Sequence, residues 1–102
     1  MYDMKSISKM ELLEVNAPAA MKAFMAFDKA ALVDGAIPKK YKELIAIAVA
    51  FTTQCPYCIE IHARSARGAG ATEQEIAEAV LVAAALRAGG AITHDTHAMQ
   101  GT

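Results

Sequence analysis

The stretch from Ile37 to Val80, "IPKKYKELIAIAVAFTTQCPYCIEIHARSARGAGATEQEIAEAV", decides the fold and carries most of the reactive side chains of the chain. Pro38 sits where a first-turn proline is tolerated, and a helix is expected from about Pro38 to Thr53. Its middle, Leu44 to Phe51, is apolar on nearly every side, which suits the centre of a packed bundle. Val, Ile and Phe would also suit a buried strand, but the length and the alanines favour helix. A second helix is expected from Cys55 to Arg67, ended by "GAGA". Thr72 and Glu75 have the Thr-x-x-Glu spacing of a capping box. They should open a third helix, which "GG" at Gly89 and Gly90 should close near Ala88.

The same punctuation extends outward. Asn16 is a candidate cap for a helix with Pro18 in its first turn, running to about Leu32. On it Met21, Phe24, Met25 and Asp28 follow a mostly apolar 3–4 spacing. "VDGAIP" then breaks the chain. Met1 to Glu14 suits a short, poorly fixed helical turn, and Ala91 to Met99 a short final helix. No strand or hairpin signal and no internal repeat or linker appears. The class is therefore all-α, with residues 1–102 as one domain.

Composition narrows the function. The net charge is −1 and the basic residues are scattered, so nothing favours nucleic acid or an anionic membrane. Hydrophobic residues make up 55% of the 102, above the roughly 45–50% usual for soluble domains. A domain this short hides only about two-thirds of its surface, so oligomerisation is the simplest way to cover the excess. The longest apolar runs, Leu44–Phe51 and Ala79–Leu86, fall far short of the roughly 20 residues that cross a bilayer. The N-terminal "MYDMKSISKM" is polar and does not resemble a signal peptide. A cytoplasmic location is expected, and there a close cysteine pair is more often catalytic or metal-binding than a staple.

Cys55 and Cys58 are the only cysteines. At the start of a helix they share one side of its first turn, close enough for a reversible disulfide. The free N–H groups of a helix start also favour thiolates. His62 lies one turn beyond Cys58 on the same face, so its imidazole can take the Cys58 proton directly or through one water. A third group should orient that base. Glu43, a carboxylate among Leu44, Ile45 and Ile47, is the candidate, because such a group is expensive to bury without a partner.

Other readings compete. Two cysteines can be inert core residues. Cys55, Cys58 and His62 are three ligands where a structural zinc site needs four, so Glu43 or a second subunit would have to complete it. His94 and His97 flank Asp95 and read as polar surface rather than a metal pair. Lys39, Lys40 and Lys42 read as the solvated face of a helix start. The six methionines read as core or interface filler.

Glu43, Cys55, Cys58 and His62 together resemble the E-x11-C-x-x-C-x-x-x-H signature of the AhpD-like (alkylhydroperoxidase D) proteins of the carboxymuconolactone decarboxylase superfamily. The likeness covers nearly the whole Ile37–Val80 stretch, including "GATEQEI". It implies a compact all-helical fold assembled as trimers or hexamers, and an alkylhydroperoxidase-type activity that needs no cofactor. By the resemblance, Cys58 attacks the peroxide and becomes a sulfenic acid, and Cys55 resolves it as a disulfide. Glu43 and His62 form the proton relay. A lipoyl group or a thioredoxin-like protein restores the dithiol. One departure stands out: the family's peroxidase has a histidine just before the second cysteine, and here Tyr57 takes that place. A phenol is a poor base at neutral pH. The decarboxylase branch generally lacks the cysteine pair, so the pair speaks against lactone decarboxylation. The alternatives are a thiol–disulfide oxidoreductase with weak peroxidase activity, a helical oligomer binding metal through the Cys/His cluster, and a scaffold with an inert pair.

Overall fold

The computed structural model describes residues 2–101. Among them lie five α-helices and no strand: α1 (Glu11–Asn16), α2 (Pro18–Leu32), α3 (Lys39–Thr53), α4 (Pro56–Gly68) and α5 (Glu73–Thr93). 3-10 turns at Met4–Met10 and His94–His97 flank them. The all-α class agrees with the sequence.

Each boundary has a local cause. Ala17, the residue before Pro18, is driven out of the helical region to φ −144° and ψ 64°. That kink separates α1 from α2. Asn16 does not cap α2 as expected: it is the last residue of α1, and its Nδ2 donates to the Leu12 carbonyl at 2.7 Å. The "VDGAIP" break falls as expected. Asp34 Oδ1 accepts the Lys39 N–H at 2.6 Å, and Lys42 Nζ donates to the Val33 carbonyl at 2.7 Å. Asp34 thereby satisfies one of the free amides at the start of α3.

α3 ends at Gln54, whose left-handed φ of 58° turns the chain sharply into α4. α4 ends in a Schellman arrangement. Gly70 takes φ +96°, its N–H reaches the Arg67 carbonyl, and the Ala71 N–H reaches that of Ala66 at 2.9 Å. The capping box of α5 is complete, with Thr72 Oγ1 accepting the Glu75 N–H at 3.0 Å and Glu75 Oε1 accepting the Thr72 N–H at 2.9 Å.

The expected stop of α5 at Gly89 and Gly90 does not occur; the helix runs through both to Thr93. Glycine weakens a helix by about 1 kcal/mol relative to alanine but does not end it. Here Thr93 Oγ1 and His94 Nδ1 bond back to the Gly89 and Gly90 carbonyls, at 2.8 Å each. The final helix expected over Ala91–Met99 is consequently the tail of α5 followed by one 3-10 turn.

α3 is central, packed between α4 and α5. Ile47, Ala66 and Ala71 form the buried cluster, with Leu44, Ala63 and Ile76 against it. Ala66 on α4 and Ala71 in the turn after it are small enough to let the chain pack closely on α3, where Ile47, 1% exposed, fills the core. α1 and α2 extend away from this unit, giving a molecule 56 × 34 × 32 Å with a radius of gyration of 17.2 Å. A compact chain of this length would have about 13 Å. Large apolar side chains therefore stay uncovered, among them Val15, Phe27, Leu81, Leu86 and Ile92. By length and composition alone, the segment Glu73–His97 could span a membrane. In the molecule α5 packs on α3, tied near its start by the Lys40–Glu75 ion pair at 3.0 Å.

Two stability predictions follow from α5. Thr72→Ala removes one half of the capping box and should cost about 0.5–2 kcal/mol in denaturant unfolding. Glu75 has its carboxyl held below the usual range, first by the Thr72 N–H and then by Lys40. A carboxyl lowered in the folded state stabilises above its unfolded pKa, and that contribution fades as pH falls through the lowered folded value. The gap in melting temperature between wild type and Glu75→Gln should thus be present at neutral pH and close in acid.

Candidate active site

The site is built where α3 passes behind the first turns of α4. Glu43, one turn into α3, is 2% exposed and is the only buried charged residue among those described. Both its oxygens are engaged. Oε1 accepts from Lys39 Nζ at 3.2 Å, and Oε2 lies 2.7 Å from His62 Nδ1. The carboxylate thus pairs with Nδ1 rather than Nε2. That orients the ring and leaves Nε2 on the opposite side for chemistry.

His62 itself is one-fifth exposed and borders a cavity of about 650 Å³. Cys55, Tyr57, Cys58 and Ile61 line the same cavity from α4. Phe24, Met25 and Asp28 line it from α2, and the Met4–Met10 turn with Leu13 closes another side. Glu43 is not part of the wall; it reaches the cavity through His62.

Cys55 is the N-cap of α4, with Pro56 as the first helical residue. Its Sγ accepts the Cys58 N–H at 3.2 Å, the place a serine or aspartate oxygen usually takes at a helix start. The two Cα atoms are 5.3 Å apart and the sulfurs are joined as a disulfide. An amide aimed at Cys55 Sγ also stabilises negative charge there once the disulfide opens.

Tyr57 is half-buried. The Tyr2 ring packs edge-on against it with centroids 5.0 Å apart. Partial burial and then the Glu60 carboxylate hold the Tyr2 phenol above its ordinary value. Tyr57 is thus part of the cavity wall beside the cysteines.

Of the four residues singled out in the sequence, Glu43 binds His62, and His62 shares the wall of one cavity with Cys55 and Cys58. His94 and His97 lie elsewhere, on an exposed turn with ring centroids 5.6 Å apart. Among the described residues no group of three or more His, Cys, Asp or Glu side chains converges as a metal site. The lysine cluster is not merely a solvated face. Lys39 binds Glu43, Lys40 binds Glu75, and Lys42 binds the Val33 carbonyl. The i,i+4 spacing of Lys39 and Glu43 was the available signal. Nothing in the sequence alone places α2 and the N-terminal turn over the cysteines.

Comparison with known proteins agrees with this architecture. Residues 18–100 match the model of the carboxymuconolactone decarboxylase family. An uncharacterised protein of the cox locus of Paracoccus denitrificans is 52% identical over 77 residues, covering 76% of this chain and 69% of that protein. An uncharacterised protein of Cupriavidus necator is 42% identical over 65 residues, 64% of this chain and 58% of that one. Among solved structures, a carboxymuconolactone decarboxylase family protein of Legionella pneumophila superposes with a TM-score of 0.76 at 36% identity, over 81% of this chain and 75% of that one. A protein of Methanobacterium thermoautotrophicum gives a TM-score of 0.76 at 34% identity, over 82% and 94%. With most of its length inside the family model and a matching helical fold, the chain belongs to the carboxymuconolactone decarboxylase family.

Proposed function

We propose that the protein is a thiol-dependent peroxidase of the AhpD-like type. The observation that carries this reading is the bonded Cys55–Cys58 pair on the wall of a cavity that also holds His62, with His62 Nδ1 anchored by buried Glu43. In the reduced protein His62 Nε2 takes the Cys58 proton, directly or through a water. The thiolate attacks the terminal oxygen of a hydroperoxide ROOH, and the O–O bond breaks. The alkoxide leaves as ROH with the proton returned by His62, and Cys58 becomes a sulfenic acid. The Cys55 thiolate then attacks Cys58 Sγ, hydroxide leaves as water with one proton, and the disulfide forms. A dithiol, such as a lipoyl group or a thioredoxin-like protein, supplies two electrons and two protons by exchange. This cycle needs a reducing compartment such as the cytoplasm.

The assembly we infer is a homo-oligomer, a trimer or hexamer. The uncovered apolar side chains of α2 and α5 support it, since a monomer would leave an apolar surface larger than soluble chains usually tolerate. A second copy suits α5 better than lipid does, because Arg87 lies at the middle of the apolar segment and is expensive to place at the centre of a bilayer.

A second reading, thiol–disulfide exchange with little peroxide turnover, is favoured by Tyr57. By the resemblance, the phenol replaces a base at the position next to Cys58, and it packs edge-on against Tyr2.

One equivalent of an organic hydroperoxide added to reduced protein should produce a mass loss of two hydrogens per chain. In Cys55→Ser it should leave sulfenic acid on Cys58. Oxidation retained on Cys55 would reverse the two roles, and no reaction faster than that of free cysteine would favour the exchange reading. Light scattering on the eluting protein should return the mass of three or six chains; the mass of one chain would contradict the assembly.

A further inference from the structure

Asp28 is the one acidic side chain that lines the disulfide cavity. It continues the Met21, Phe24, Met25 face of α2, where an apolar residue would be expected, and it is half-buried. Among the described residues it makes no ion pair; the acidic partners in those pairs are Glu43, Glu73 and Glu75. The same wall carries the apolar side chains of Phe24, Met25, Leu13 and Ile61. The basic side chains on the wall are Lys9, which is exposed on the N-terminal turn, and His62, which is bound to Glu43. An exposed ammonium is screened by water and salt within about 10 Å at ordinary ionic strength, whereas a half-buried carboxylate in an apolar wall is screened less. Asp28 is therefore the one carboxylate that the tail of a small molecule meets on this wall.

We propose that Asp28 is a specificity-determining residue that selects, by charge, the thiols able to reduce the Cys55–Cys58 disulfide. The cavity admits thiols with neutral or cationic tails and turns away those that carry a carboxylate or sulfonate. This rests on the cysteine pair being a working redox centre. The step is ordinary exchange. One thiolate RS⁻ attacks a sulfur of the pair and forms a mixed disulfide, the other cysteine leaving as thiolate. A second RSH displaces it as RSSR, so the protein gains two electrons and two protons and the two thiols lose them. Every attacking thiolate carries the same charge on sulfur. Only the tail distinguishes them.

The test is the rate of disulfide reduction by 2-mercaptoethanesulfonate, 2-mercaptoethanol and cysteamine, each normalised to its rate with a small unstructured disulfide. The wild type should reduce slowest with the sulfonate, by about tenfold relative to 2-mercaptoethanol at low salt, the size expected of one partly screened charge. Raising the salt should shrink that ratio. Asp28→Asn, nearly isosteric, should bring the normalised rates within about twofold. A ratio unchanged in Asp28→Asn, or normalised wild-type rates that do not depend on tail charge or salt, would overturn the proposal while leaving the redox reading intact. A disulfide that none of the three thiols reduces would overturn both. The salt series on wild-type protein decides the matter even if the variant folds poorly.

Discussion

A single buried carboxylate holds this molecule's architecture and its chemistry together. Glu43 lies at the contact of α3 and α4, almost without water, with Lys39 on one oxygen and His62 on the other. Removing one partner of a buried charge is costly, because the other is left uncompensated. The cost falls on the α3–α4 contact, which also carries Ile47 and Ala66. His62 is thus not free to drift: its ring is fixed by the same carboxylate that the helix pair must satisfy in order to pack. The first turn of α4, which carries both cysteines, inherits its place from that constraint.

The rest of the chain is arranged around this unit rather than upon it. α5 covers the far side of α3 through its capped N-terminus and the Lys40–Glu75 pair. α2 and the N-terminal turn make few contacts with the core but complete the cavity over the disulfide. Its walls are thus of two kinds. The α4 wall carries the disulfide and His62. The opposite wall comes from the most loosely attached part of the chain and supplies shape and charge.

Much of this was legible in the sequence, for identifiable reasons. Strong local signals gave the right elements: Pro18 and Pro38 at helix starts, Thr72 with Glu75 as a complete capping box, and Gly70 at the end of α4. The spacing of Glu43, Cys55, Cys58 and His62 pointed to one candidate site, because Cys55, Cys58 and His62 follow one face over the first two turns of α4 and Glu43 had to be paired if buried. Local signals failed where two of them competed. Asn16 is a good cap by type, but the residue directly before proline is the one forced out of the helix, and that is Ala17. Gly89 and Gly90 look like a stop, yet Thr93 and His94 bond back to their carbonyls and carry α5 onward. Lys39 was passed over because a lysine at a helix start is usually solvated. Its role depends on Glu43 being buried, which is a tertiary fact. Asp28 was hidden for the same reason, since only the fold sets α2 across from the cysteines.

The account stands or falls on whether buried Glu43 acts through His62 on Cys58. The most direct measurement is stopped-flow oxidation of the reduced protein by an organic hydroperoxide, comparing wild type, Glu43→Gln and free cysteine. The wild type should outpace free cysteine by orders of magnitude, and Glu43→Gln should lose at least about tenfold of that rate while its disulfide still forms. Equal rates for wild type and Glu43→Gln, in a variant that keeps its helical content, would contradict the account.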